Sequence, residues 1–284
     1  MIIVKMFGGL GNQLFQYAFG MYINNILEKE VSFDIKLNNF NNNLTPRELE
    51  ITKLFNVPIA QSSDLIGKKI FDSGLFWRIE RKLNQVFPFI NSNYYVQKNP
   101  HQNEFIIKDN AYYEGYWQNY FYVKSLIEYT LSNISGCKHL IINNKYYNEI
   151  INCNSISIHI RRDDYLKNTK IFNILDLEYY NRAIRFIKDK TQSPKFFIFT
   201  QDIKWAEENF PGEEFIIVSN NSAIEDLLLM SICKHNVIAN STFSWWSAWL
   251  NNSPEKIIIS PKHWYNNNLN NSIINLIPPT WISF

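Results

Sequence analysis

The sequence lacks most of the features that would place it outside the ordinary globular class. Its three cysteines, Cys137, Cys153 and Cys233, are odd in number, widely spaced and far from any CxxC pattern. That excludes a disulfide framework and predicts reduced structural thiols in a cytosolic protein. No apolar run reaches the roughly 18 residues of a membrane-spanning helix. The opening MIIVKMFGGLGNQ has neither the basic leader nor the long apolar core of a signal peptide. Charge of one sign is missing too: 28 basic residues against 26 acidic ones leave a net charge of +2. No global field therefore attracts nucleic acid or an anionic surface, and any anion must be held by a local cluster. Asparagine runs such as NNFNNNL and NNNLNN read as surface loops.

What remains is a chain of 284 residues, 16% of them aromatic, long enough for one large domain or two of about 140 residues. The run Ile2 to Phe7 predicts a strand that enters Gly8-Gly9-Leu10-Gly11, a helix over Asn12 to Leu27 and a second strand over Val31 to Ile35: a βαβ opening. From Asn38 to about Asn110 periodicity is poor, and only short helices around Ser62 to Ile66 and Gly74 to Val86 are readable. Tyr112 to Gln118 is dense in aromatics, and Phe121 to Leu131 has helical spacing. A boundary near Ile142 to Asn154 divides residues 1–148 from 149–284.

Beyond the boundary, strands and helices alternate. Strands are expected at Ser155 to Ile160, Lys195 to Thr200, Glu214 to Val218, Asn236 to Ala239 and Lys256 to Ser260, with helices at Leu177 to Lys188, Ile203 to Asn209, Ala223 to Cys233 and Phe243 to Asn251. Asp176 fits a helix cap, and Ser222 with Glu225 fits a capping box. Such alternation implies a parallel, doubly wound sheet.

Ligands of such sheets bind beyond the carboxyl ends of the strands, where helix N-termini also point. The strand ends here deliver His159, Arg161, Arg162 and Asp164, then Thr200 and Asp202, then Ser219 and Asn220, then Asn240, Ser241 and Thr242. Each has a plainer reading when taken singly. RRDD is a self-neutralising surface cluster, Ser-Thr a helix cap, His159 a core histidine, and Trp245, Trp246 and Trp249 a packed core. Their convergence on one edge favours a nucleoside diphosphate, which arginine forks and helix-terminal amides are suited to bind. Asp202 and Asp226 could accept from ribose or from guanine. The N-terminal Gly9-Leu-Gly11, with Asp34 ending the next strand, is a near-match to a dinucleotide fingerprint and keeps an NAD-dependent dehydrogenase as an alternative.

Three blocks together resemble the α-1,2-fucosyltransferases of glycosyltransferase family 11: GGLGNQLFQYAFG at 8–20, HIRRDDY at 159–165 and EDLLLMSICKHNVIANSTFSWWSAWL at 225–250, with GYWQ at 115–118 and FTQD at 199–202. The resemblance implies an α/β fold of GT-B type, two Rossmann-like domains facing across a cleft. It implies an inverting, metal-independent transfer of fucose from GDP-β-L-fucose to the 2-hydroxyl of a galactose, without a cofactor. No D-x-D triplet occurs in the chain, and Asp163-Asp164 beside two arginines is a poor magnesium site.

Under that resemblance, residues 149–284 bind the donor and residues 1–148 form the acceptor side. Arg161 would stabilise the departing diphosphate, Asp164 would orient the arginines, and His159 and Asp226 would read the guanosine with Asp202 nearby. Ser241, Thr242 and Phe243 would bind the diphosphate, and Asn12 would face fucose and acceptor. The family's S-D-D is Thr200-Gln201-Asp202 here. Glu114 is a candidate general base by position. Tyr112, Tyr113, Tyr116 and Trp117 could stack on sugars or pack in the core. The acceptor is expected to be a galactose-containing surface glycan such as an O-antigen, free or lipid-linked, met in the cytoplasm or at the inner face of a membrane. A non-catalytic sugar-nucleotide or glycan-binding protein is the alternative from another class.

Overall fold

The computed structural model describes residues 1–35, 49–60, 75–89, 93–102, 104–124, 126, 136–166, 169–266 and 273–284, without the side chains of residues 75–77, 163 and 164. The chain divides into two compact units, Met1–Ile127 and Glu128–Phe284. Asn144 and Tyr146, ahead of the expected start at 149, already bond into the second unit, to Asn221 (2.9 Å) and to the carbonyl of Ile217 (3.2 Å).

In the first unit β1 (Ile2–Lys5) leads into α1 (Leu10–Leu27) and β2 (Val31–Asp34), as the apolar pattern predicts. Then follow α2 (Leu75–Val86), β3 (Tyr94–Val96), β4 (Ala111–Glu114) and α3 (Tyr120–Lys124). The helix expected at 62–66 and residues 127–131 of the one expected from Phe121 lie outside the described residues. The sheet is parallel, in the order β2-β1-β4-β3. Its strands are buried on both faces apart from Ser32, as parallel sheets require.

Buried glutamines on α1 stitch this unit together. Gln13 Oε1 accepts from the amides of Glu50 and Ile51, Gln16 Oε1 accepts from Phe7 N, and Gln16 Nε2 donates to the carbonyl of Gly115. Each bond satisfies a group whose unpaired burial would cost about 1–3 kcal/mol. α1 also lies so close to β2 that a Cβ on Gly20 would overlap the Phe33 ring.

The second unit runs α4 (Tyr147–Asn152), β5 (Asn154–Ile160), α5 (Asp163–Leu166), α6 (Leu177–Lys190), β6 (Pro194–Thr200), α7 (Ile203–Asn209), β7 (Phe215–Val218), α8 (Ala223–Ile232), β8 (His235–Val237), α9 (Thr242–Leu250), β9 (Ile258–Ser260) and β10 (Ile282–Ser283). Its parallel sheet has the order β10-β9-β8-β5-β6-β7, which puts β5 at the centre. The caps are those the sequence suggests. Asp176 accepts from Tyr179 N at 2.9 Å, and Ser222 with Glu225 closes a full capping box.

The alternation in SISIHI now has a layer on each side. Ile156, Ile158 and Ile160 pack in one core cluster with Tyr180, Ala183 and Ile187 of α6. Ser155, Ser157 and His159 are buried on the other face, where Ser157 Oγ accepts from Asn236 Nδ2 at 2.7 Å. Trp245 and Trp246 are fully buried and Trp249 nearly so, which settles the tryptophan trio as core. All three cysteines are free thiols. Among the described residues no helix is long and apolar enough to cross a membrane.

Candidate functional site

The carboxyl ends of β5, β6 and β8 in the second unit gather the polar residues expected there. β5 ends in His159, Ile160, Arg161 and Arg162, and the two arginines have different surroundings. The Arg162 guanidinium donates from Nε to Asp202 Oδ2 at 3.2 Å and lies 4.5 Å from the centre of the Trp205 ring. Asp202 also caps α7 by accepting from Trp205 N at 3.3 Å. One carboxylate thus ties the end of β6, the start of α7 and Arg162 together. The Arg161 guanidinium lies 5.8 Å from the Tyr165 ring, and the Tyr165 hydroxyl donates to the carbonyl of Asn240 at 2.8 Å. That links β5 to the loop after β8.

His159 faces the first turn of α9. Its Nδ1 is 2.8 Å from Ser244 Oγ and its ring 5.7 Å from that of Phe243. Burial, reinforced by Arg161, lowers the imidazole pKa to about 3, so it is neutral at physiological pH and serves as a hydrogen-bonding group. Ser241 stands at the N-cap of α9 but makes no side-chain capping bond, and no acidic residue occupies the first turn. Helices α6, α7 and α8 are each capped by their own side chain. The amides of Thr242 and Phe243 therefore bring the positive end of a helix dipole to the strand ends with no carboxylate of their own turn opposing it.

His159 thus meets Ser244 and Phe243 at the first turn of α9, which Ser241 and Thr242 open, with Arg161 near enough to act on its pKa, and Arg162 with Asp202 forms a second group. Asp226 sits in the first turn of α8, after the edge strand β7, where its carboxylate accepts from Asn221 Nδ2 at 2.9 Å. Burial raises its pKa to about 6, with Glu225 adding to the effect and the Asn221 bond opposing it. Asp164 belongs to α5, and its side chain is outside the described residues. The part expected of Asp164, fixing an arginine, is performed for Arg162 by Asp202. Trp205 and Ser244 were not anticipated. Their signals were positional, three residues after Asp202 and three after Ser241, each within a helical first turn.

In the first unit, Gly8 takes φ +80° and Gly9 caps α1. Asn12 Oδ1 accepts from Gln118 Nε2 at 2.9 Å, joining the GGLGNQ and GYWQ blocks. Of the four aromatics, Tyr112, Tyr113 and Trp117 are buried and Tyr116 is 38% exposed. Tyr116 stands on a tightly determined turn. Gln97 Oε1 accepts from the amides of Tyr116 and Trp117, Trp117 has φ +54°, and the Tyr116 ring lies 4.9 Å from that of Phe7.

Glu114 does not fit the base role expected of it. One oxygen accepts from Lys5 (3.2 Å) and from the Tyr94 hydroxyl (2.5 Å), the other from Arg81 Nε (2.7 Å). Burial alone would raise the carboxyl, but Lys5, Arg81 and Tyr94 outweigh it and hold the pKa below the ordinary range. A carboxylate so occupied is a poor proton acceptor, and its geometry is that of a structural ion cluster. Asp34 is likewise taken up, accepting from the Tyr112 hydroxyl at 2.7 Å, so the acidic residue that a dinucleotide site needs is committed to the interior. Among the described residues no three His, Cys, Asp or Glu side chains group as metal ligands.

Two units, each built on a parallel sheet with its helices, give the α/β architecture of the GT-B class. The chain belongs to glycosyl transferase family 11, which residues 1–283 match. It is 32% identical over 289 residues to the O-antigen biosynthesis glycosyltransferase WbnK of Escherichia coli, covering 92% of this chain and 94% of that one. It is 31% identical over 295 residues to an α-1,2-colitosyltransferase of Escherichia coli, covering 99% and 98%. A shorter match, 27% over 103 residues, links 34% of the chain to 30% of galactoside α-(1,2)-fucosyltransferase 2 of Sus scrofa. Among solved structures, a mutant of Arabidopsis thaliana FUT1 in complex with GDP superposes with a TM-score of 0.53 at 12% identity, covering 94% of this chain and 71% of that one. NodZ α-1,6-fucosyltransferase soaked with GDP-fucose gives 0.51 at 14%, covering 91% and 94%. These two share the fold. Family membership removes the dehydrogenase and the non-catalytic binder as alternatives.

Proposed function

We propose that the protein transfers L-fucose from GDP-β-L-fucose to the 2-hydroxyl of a galactose residue in a surface glycan, with inversion, to give an α-1,2-fucoside. The observation that carries this is the convergence of Arg161, His159 and the α9 N-terminus on one sheet edge of a family 11 chain. Arg161 stabilises the charge that grows on the leaving diphosphate, an oxyanion-hole type of role that needs preorganised donors. Arg162, fixed between Asp202 and Trp205, holds the second positive charge in place. The amides of Thr242 and Phe243 and the Ser241 hydroxyl meet the phosphates, and His159 and Asp226 contact the nucleoside. The arginines supply the charge compensation that a divalent cation would otherwise give.

The acceptor belongs to the first unit, where Asn12 meets the sugar hydroxyls and Tyr116 offers a fixed, exposed ring for the apolar face of a galactose. The relative named for O-antigen biosynthesis supports a surface polysaccharide as acceptor. If that acceptor is lipid-linked, the enzyme works at a membrane surface.

A second donor is favoured by one observation, the 31% identity to an α-1,2-colitosyltransferase over nearly the whole chain. Colitose is the 3-deoxy counterpart of fucose, so the same diphosphate machinery would serve GDP-colitose. Incubating the protein with each GDP-sugar and a terminal β-galactoside, then determining the linkage by NMR, tests both. Transfer of fucose to the 2-hydroxyl supports the leading reading. Transfer from GDP-colitose alone replaces the donor, and transfer from neither sinks the proposal.

A further inference from the structure

Helix α2 (Leu75–Val86) turns three polar side chains inward: Arg81 donates to Glu114 of β4, Asn84 is fully buried, and Gln85 Nε2 donates to the carbonyl of Gln97. The apolar side chains described on it and just after it face solvent instead. Ile79 is 49% exposed, Leu83 38%, Val86 57% and Phe87, just past the last turn, 58%. Positions i, i+4, i+7 and i+8 share one side of a helix, so these four form a continuous stripe about 12 Å long. Helical spacing sets Arg78 and Lys82 along one border of that stripe, and both are exposed. Glu80, the one acid on the helix, is half-buried.

We propose that α2 is the contact through which this enzyme lies on an anionic lipid surface, with the four apolar side chains entering the interface and Arg78 and Lys82 meeting the lipid phosphates. An apolar stripe bordered by cations and lacking an exposed acid is the composition of an interfacial helix. A second copy packed antiparallel on the same face is a poor occupant, because it would set Arg78 and Lys82 against their own counterparts. The inference stands apart from the choice of donor and acceptor and places on named residues the membrane contact that a lipid-linked acceptor would require.

The test is co-sedimentation of the full chain with vesicles of phosphatidylglycerol and phosphatidylethanolamine, against vesicles of phosphatidylcholine alone. Wild type binds the anionic vesicles at least about tenfold better. Leu83→Glu with Phe87→Glu, and separately Arg78→Glu with Lys82→Glu, each lower that binding about tenfold or more. Far-UV circular dichroism stays unchanged, since the replaced side chains are exposed. Wild type left in the supernatant, equal binding to both vesicle types, or variants that bind as wild type does would each overturn the proposal. So would a lipid-free dimer that Leu83→Glu with Phe87→Glu converts to monomer, which would make a second copy the occupant. Vesicle binding without sugar transfer would count only against the enzymatic reading above, and transfer to a soluble galactoside without vesicle binding only against this one.

Discussion

Arg161 and Arg162 are adjacent in sequence and differ in what their surroundings leave them to do. Arg162 is held by a carboxylate and an indole, which suits a fixed background charge. Arg161 follows the central strand, lies over the Tyr165 ring and helps to lower the pKa of His159, and under the proposed function the leaving diphosphate falls to it. Arg161→Lys keeps the charge and loses the planar fork, and turnover with GDP-fucose should fall on the order of a hundredfold or more. Steady-state kinetics with saturating galactoside measures this, and full activity in the variant would remove Arg161 from the chemistry.

Asp226 provides a prediction in pH. Its pKa rises from an ordinary value near 3.8 to about 6 on folding, so the folded state holds the proton more tightly than the unfolded one. The carboxyl therefore costs nothing below about pH 4, and its ionisation opposes folding increasingly as pH climbs toward about 6. Denaturant titrations should show wild type losing stability across that window relative to Asp226→Asn. Guanine offers hydrogen-bond donors that favour the charged carboxylate, so GDP affinity should weaken below about pH 6 more steeply in wild type than in the variant, where only the phosphate's own protonation acts. An identical pH profile of GDP binding in both proteins would show that Asp226 does not read the base.

Among the elements, β4 explains both what was readable and what was not. The second unit announced itself because each of its longer strands is a run of Ile, Phe or Val punctuated by a capped helix, and period and caps agree. AYYE and YYV, by contrast, are four and three residues long and buried on every position. A fully buried strand has no alternation to detect, and tyrosines fit a core or a binding surface equally well. Only the fold separates Tyr116, the exposed one, from Tyr112 and Tyr113. At the other extreme, α2 was legible as a helix, but its orientation was not, because an amphipathic pattern says that two faces differ and leaves open which faces inward. Glu114, at the end of β4, looked available in the sequence because its three partners come from β1, α2 and β3, far apart in the chain.

That placement yields a further prediction. Glu114→Gln leaves Lys5 buried without its counter-charge and should destabilise the first unit by about 3–5 kcal/mol in urea unfolding, as broken buried ion pairs do. The pH dependence of turnover in the folded fraction should be unchanged. A variant of normal stability whose turnover collapses would restore Glu114 as a base.

At the scale of the whole molecule, the two units divide the proposed work, with the nucleotide falling to the second. GDP at about a hundred times its Kd should protect the amides of β5, β6 and α9 in hydrogen exchange by up to about 2.7 kcal/mol and leave β1 to β4 close to unchanged. Protection centred on the GGLGNQ loop would move the nucleotide to the first unit.

The central position of β5 also bears on how long the protein takes to fold. Ile156 pairs with Phe196 on one side and with His235 on the other, so the first strand of its sheet to be synthesised waits for both neighbours. Among the described residues, β5 to β10 pair only in parallel, so none of these strands folds back on the next as a hairpin. Contacts of such long sequence separation slow folding toward the millisecond-to-second range and leave apolar strands open meanwhile. The same SISIHI that carries the arginines in the finished enzyme is, in the nascent chain, an apolar strand without neighbours until residues 194–200 and 235–237 have been made.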